Sequence, residues 1–164
     1  MRRFKRRKGI KRQAAYDEKY LWPMFSTFIR LRDTNNNGYG SCFTCGLIRH
    51  WKQFDCGHGI PRQHKATKYS EINNRCQCKK CNGFEGGMRE KFKEGVDRIY
   101  GDGTWEKLEI SSKQVCKRDK FEYDVMTDYY LAEVKKLCSQ KGIDPMEIQA
   151  VKKWVNRKDE AKKL

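Results

Sequence analysis

Cys42-Phe43-Thr44-Cys45 and Cys78-Lys79-Lys80-Cys81 decide how this chain folds. Two thiolates three positions apart in a tight knuckle converge on one ion, so each pair supplies one edge of a tetrahedral zinc site. Four soft ligands leave no open coordination position, which makes the expected zinc structural. Cys76 complicates the set, because Cys76-Gln77-Cys78 offers a neighbouring thiol. His58 is a further alternative ligand, since centres mixing Cys and His also exist. A thiol-redox role for the pairs is a third reading. Cys56, Cys116 and Cys138 have no comparable spacing and read as small buried apolar groups. An even count of eight cysteines would also suit disulfides in a secreted protein, but no apolar signal-like segment accompanies them.

On the N-terminal side of the first pair, Leu21, Met24, Phe25, Phe28, Ile29 and Leu31 recur with a helical period between Tyr16 and Arg32, and Pro23 is tolerable near a first turn. Asn35-Asn36-Asn37-Gly38-Tyr39-Gly40 is a turn leading into the knuckle. Between Phe43 and Ile60 only short strands fit, too small to bury a sheet alone, so metal must supply local order. After Cys81, the residues Met88, Phe92, Val96 and Ile99 predict a helix beginning near Asn82, with a stop at Tyr100-Gly101-Asp102-Gly103. Residues 119–141 predict a second helix with Phe121, Val125, Tyr129, Leu137 and Cys138 on its apolar side, ended by Gly142. A third stretch after Asp144-Pro145 carries Ile148, Val151 and Val155. The implied organisation is a basic arm at residues 1–15, a zinc-stabilised core with its leading helix at 16–100, and a helical extension at 101–164 for packing, dimerisation or nucleic-acid contact.

The length of 164 residues limits the chain to one ordinary domain or a compact domain with an extension. Its 37 basic residues against 21 acidic ones leave a formal charge of +16, which favours a polyanionic partner. The excess is uneven: Arg2, Arg3, Lys5, Arg6, Arg7, Lys8, Lys11 and Arg12 stand together without an acid. Such an arm suits phosphate contact, with a merely solubilising or membrane-attracted tail as the alternative. No apolar run approaches a spanning helix, so an intracellular protein without a membrane partner is expected.

Chemistry concentrates at Asp55-Cys56-Gly57-His58-Gly59-Ile60-Pro61-Arg62. An imidazole can deprotonate water for attack on a phosphodiester, while a divalent ion polarises the phosphate. Asp55 and Asn82 are candidate ligands for a hard ion such as Mg2+ or Mn2+, with Asn82 alternatively a helix N-cap. Glu85 is a further oxygen donor or an ordinary capping-box acid. Arg62 and His64 are candidate phosphate contacts, each with a surface or structural reading beside it. The cations Lys152, Lys153, Arg157, Lys158, Lys162 and Lys163 read as a solvated face.

The run Phe28-Ile29-Arg30-Leu31-Arg32-Asp33, the pair Cys42-x2-Cys45-Gly46, the segment Asp55-x-Gly57-His58 and the later Asn73-x3-Gln77-Cys78-x2-Cys81-Asn82 together resemble the NinG/Rap family of phage recombination proteins. That family is similar to HNH, or ββα-metal, nucleases and is associated with branched DNA. The stretch from Cys78 to Phe92 also looks like part of phage endonuclease VII, a junction resolvase with a structural zinc. The resemblance implies an α+β fold with a small zinc-stabilised ββα-metal core and flanking N- and C-terminal helices. It implies His58 as general base, Asp55 and Asn82 as ligands of the catalytic Mg2+ or Mn2+, and the four paired cysteines as zinc ligands. Asn73 would orient His58 or tie its loop to the backbone, and Glu85 would hold metal-bound water or a ligand. One departure is clear: Gly57, not Asp or His, directly precedes the proposed base.

The expected activity is therefore metal-dependent DNA endonuclease chemistry on branched recombination intermediates such as four-way junctions or flaps. A homodimer would suit paired incisions, and a phage-derived chain would work in the cytoplasm of its host. The alternative is a noncatalytic zinc-finger DNA-binding or recombination-scaffold protein.

Overall fold

A computed structural model of the chain describes residues 19–162. The basic arm expected at residues 1–15 lies outside them, as does the part of the expected leading segment before Lys19.

The first helix, α1 (Leu21–Arg32), is apolar on most of its circumference, with Leu21, Met24, Phe25, Ile29 and Leu31 fully buried. Such a helix must be surrounded, and it becomes the axis of the molecule. Pro23 falls in its first turn, where no intrahelical donor is lost. Beyond α1 come two antiparallel hairpins. In the first, β1 (Tyr39–Ser41) pairs with β2 (Ile48–His50). In the second, β3 (Phe54–His58) pairs with β4 (Asn74–Cys78), Phe54 opposite Cys78 and His58 opposite Asn74. One turn of π-helix, Lys80–Phe84, leads from β4 towards α2 (Arg89–Tyr100) and α3 (Thr104–Ser112), and the chain closes with α4 (Lys120–Lys141) and α5 (Gln149–Ala161). The architecture is α+β: small antiparallel sheets flanked by helices, with the four paired cysteines gathered as a metal-binding cluster.

Two apolar clusters flank the β3–β4 hairpin. On one side α1 packs with α4 and α5, burying Tyr123, Tyr130, Val134, Val151 and Trp154, and enclosing Cys56 of β3. Phe25 and Tyr130 meet edge to face with centroids 4.9 Å apart. The other cluster joins Ile60, Phe92, Val96, Trp105 and Leu108, which roots α2 and α3 beneath the loop after β3.

Several helix boundaries follow the sequence rules. Asp119 and Glu122 form a reciprocal capping box at the start of α4. Gly142 ends that helix with φ +64, a left-handed conformation that glycine adopts without strain. The buried face of α4 differs from expectation. Tyr123, Thr127, Tyr130, Val134 and Cys138 face the core, whereas Phe121, Val125 and Tyr129 are 74%, 50% and 54% exposed. Both faces carry apolar residues, and the aromatic surface of α1 selects the one with Tyr130. The helix expected near Asn82 begins at Arg89 instead, because left-handed Gly86 and Gly87 interrupt it, and Ile99 is exposed. Helix α3 had no counterpart in the periodicity. In the C-terminal tail Arg157 and Lys158 are not simply solvated: they pair with Asp124 and Asp128 of α4. Among the described residues no helix is long and apolar enough to cross a membrane.

Candidate functional site

The hairpin β1–β2 exists to present the first cysteine pair. Cys42 N–H donates to the Leu47 carbonyl and Gly46 N–H to the Cys42 carbonyl, each at 2.9 Å, and Gly46 takes φ +75 to close the knuckle. The second pair sits where β4 ends: Cys78 is its last residue and Cys81 lies in the π-helical turn. All four sulfurs lie within 4.8 Å of one another, and Cys45 Sγ stands 3.8 Å from Cys78 Sγ. Zinc–sulfur bonds of about 2.3 Å in tetrahedral geometry put sulfurs about 3.8 Å apart, so the four residues fit zinc. Cys78 N–H also donates to Cys42 Sγ at 3.2 Å. Burial raises the Cys42 thiol, but this amide, the Thr44 hydroxyl and further backbone N–H groups outweigh it and bring its pKa down to about 6. Burial pushes Cys81 up to about 12 and raises Cys45. Cys76 is outside the cluster: its thiol is buried under α1 near the Ile29 and Arg30 carbonyls, and burial pushes its pKa up. His58 lies at the far end of β3. Cys56 and Cys138 are buried as expected, while Cys116 is half-buried.

Asn82 follows the zinc knuckle directly, so the turn that fixes Cys81 also fixes Asn82. Its Nδ2 donates to Asp55 Oδ2 at 3.1 Å, both side chains being half-buried. A carboxylate and a carboxamide offer the hard oxygen donors that a divalent ion such as Mg2+ takes, though it is the Asn82 N–H that faces Asp55 here. Among the described residues the four cysteines are the one group of three or more His, Cys, Asp or Glu ligands close enough to share an ion. Asn82 does not cap α2. Glu85 ends the π-helical turn and pairs with Lys80 Nζ at 3.2 Å on the exposed side of the knuckle.

His58 leaves β3 on the opposite face from Asp55, as residues three apart on a strand do. Its ring stacks on Trp22 of α1, with centroids 5.1 Å apart and planes inclined by 23°. His58 Nε2 lies 3.2 Å from the Lys68 carbonyl. A carbonyl only accepts, so Nε2 donates here, and in the neutral imidazole Nδ1 then carries the lone pair. Asn74, the cross-strand partner of His58, donates Nδ2 to the same carbonyl at 3.0 Å and to Ser70 O at 2.7 Å. Asn73 is fully buried. It accepts from Ile60 N–H at 2.7 Å and donates to the carbonyls of Ile60 and Thr67 at 3.0 and 3.1 Å, tying together the loop between β3 and β4. Arg62 is exposed on that loop, its guanidinium 6.0 Å from the Trp22 centroid. His64 is half-buried in the turn begun by Pro61. Arg118 donates to the Lys65 carbonyl at 3.0 Å and covers Tyr69, so Arg62, Lys65, Lys68 and Arg118 gather around the His58 loop.

Sequence reading assigned no role to Trp22, Asn74, Gln77, Asp33 or Arg118. Asp33 and Gln77 lay inside the quoted motifs. Asp33 accepts from Cys76 N–H at 2.9 Å and pairs with Arg32 and Arg75, joining the end of α1 to β4. Gln77 donates to Thr44 Oγ1 and the Gly87 carbonyl, while its buried Oε1 has no hydrogen-bond partner among the described residues. Asn74 could have been suspected from the Asn73-Asn74 doublet. Trp22 had no local marker, because its role depends on a strand far along the chain.

No curated protein and no solved structure matches the chain significantly. A family profile does: that described as Bacteriophage Lambda NinG protein matches residues 1–141. Together with the four-cysteine cluster, this match supports a nuclease or DNA-binding role in recombination. With so much of the sequence matched, and with the cysteine pairs, Asp55, His58 and Asn82 all lying inside the matched span, the chain belongs to the NinG family.

Proposed function

We propose that the chain is a Mg2+- or Mn2+-dependent DNA endonuclease that cuts branched recombination intermediates, with His58 as its general base. The observation that carries this reading is the Nε2 contact to the Lys68 carbonyl, which leaves the lone pair on Nδ1. His58 Nδ1 takes a proton from water, the water oxygen attacks phosphorus, and the P–O3′ bond breaks, the departing 3′-oxygen taking a proton from solvent water. Asp55 and Asn82 would hold the divalent ion, which when bound neutralises charge on the phosphate and the leaving oxygen. Arg62 and His64 would grip backbone phosphates, so DNA shape matters more than base sequence. Asn73 acts through the loop it ties, and Glu85 assists at the rim of the metal turn. A homodimer suits paired incision of a four-way junction, and a phage protein of this kind works in its host's cytoplasm.

Purified zinc-loaded protein, assayed on linear, flap and four-way-junction DNA with Mg2+, Mn2+ or chelator, tests the proposal. Metal-dependent cutting that His58→Ala abolishes, with zinc content and DNA affinity retained, is expected. Absence of cutting on every substrate overturns it. A second reading, a noncatalytic DNA-binding scaffold, is favoured by the separation of Asp55 and His58 onto opposite faces of β3. DNA binding without cleavage on the same panel is its expected result.

A further inference from the structure

We propose that Trp22 is a positioning residue that sets the orientation of the His58 imidazole; this rests on the assignment of His58 as general base. An imidazole has two side-chain torsions, and a base works only when its lone pair meets the water it deprotonates. The indole of Trp22 lies against the ring at 5.1 Å and 23°, which restricts the ring's plane. The Lys68 carbonyl, 3.2 Å from Nε2, restricts rotation within that plane. Together they determine where Nδ1 points.

Both restraints are anchored in parts of the molecule that cannot easily shift. Trp22 belongs to the first turn of α1, where its neighbours Leu21, Met24 and Phe25 are fully buried. The Lys68 carbonyl is itself held by Asn74 Nδ2 at 3.0 Å, and Asn74 has no exposure. Tyr69 lies near the other ring, its centroid 6.5 Å from that of Trp22. The plate beneath the base is thus supplied by the leading helix rather than by the hairpin that carries it. This gives α1 a function beyond packing: it couples the main core to the geometry of one nitrogen atom.

The full-length zinc-loaded protein is compared with Trp22→Leu, which retains apolar bulk without a flat face, and Trp22→Phe, which restores one. Three quantities are read: the single-turnover cleavage rate of a four-way junction at saturating protein with Mg2+, the Kd for the same DNA in chelator, and the His58 ring-proton shifts by NMR. In the wild type, stacking should displace those protons upfield. In Trp22→Leu the displacement should vanish and the rate fall about 10- to 100-fold, with Kd unchanged. Trp22→Phe should recover most of both. Wild-type His58 protons without upfield displacement overturn the inference whatever the variants do, so a variant that fails to fold does not protect it. A Leu variant that cleaves at the wild-type rate, or weakens Kd while keeping the saturated rate, also overturns it and marks Trp22 as packing or as a DNA contact. Absence of wild-type cleavage instead removes the nuclease reading, and full activity in His58→Ala removes His58 as its base; either takes this inference with it.

Discussion

Asp55 and His58 share strand β3 but leave it on opposite faces, Asp55 towards Asn82 and the cysteine knuckle, His58 towards Trp22 and α1. Their Cα atoms are about 10 Å apart along the strand, at the usual rise per residue. Proposed ion ligands and proposed base are therefore supported by different cores, and their contributions should be separable.

In a Mg2+ titration of initial cleavage rates, Asp55→Ala and Asn82→Ala should each raise the ion concentration needed for half-maximal rate. His58→Ala should lower the rate about 10²- to 10⁴-fold at every ion concentration without moving the midpoint. A midpoint that shifts equally in all three variants would contradict the separation.

Zinc removal should melt the knuckle before the helices. Cys45 is exposed, so Cys45→Ser opens no cavity, and its effect reports ligation. Loss of one zinc per chain is expected, with faster amide exchange in β1, β2 and the Lys80–Phe84 turn, while α1, α4 and α5 stay protected. Unaltered zinc content in Cys45→Ser would remove this residue from the site.

Acid should release the metal, because protons compete for thiolates. Cys42 has a depressed pKa of about 6 in the metal-free fold, so it remains a thiolate until pH falls through that value. Cys81, pushed up to about 12, and Cys45, also raised, are already protonated there at neutral pH. Proton release on zinc uptake by folded metal-free protein should thus be larger at pH 5 than at pH 7.5, as calorimetry in buffers of different ionisation enthalpy can count. Equal counts would show that Cys42 is not depressed.

Asn73→Ala leaves the Ile60 N–H and the carbonyls of Ile60 and Thr67 without their buried partner. Unsatisfied buried groups are expensive, and a loss of about 3 kcal/mol is expected in urea unfolding. Wild-type stability in this variant would mean that water replaces the carboxamide.

Gly59→Ala should cost about 1–3 kcal/mol, because a Cβ there would meet Phe92 at 2.6 Å and Trp105 at 2.7 Å. Gly83→Ala, where nothing lies within 4 Å, is the control and should be near neutral in the same urea titration. Equal midpoints for the two would show that the aromatic pair yields easily.

Local patterns were legible where local geometry is sufficient. The ends of α4 follow from Asp119, Glu122 and Gly142, since a capping box and a left-handed glycine act within one turn. The face of α4 did not, because Phe121, Val125 and Tyr129 are as apolar as the residues that α1 actually covers. The start of α2 is not legible for a related reason: a helical period through Met88 says nothing about Gly86 and Gly87 adopting φ +59 and +85 just before it.

By itself the sequence picked out the two cysteine pairs, because a Cys-x2-Cys knuckle converges on an ion whatever surrounds it, but it left Cys76 and His58 as alternatives to one of them; the four paired sulfurs do lie close enough to share an ion. Only the tertiary structure decided that Cys76 turns under α1, that Asp55 meets Asn82, and that His58 rests on Trp22 against the Lys68 carbonyl. Those relations depend on strand alternation and on contacts between segments distant in the chain, and neither is a property of any short stretch of residues.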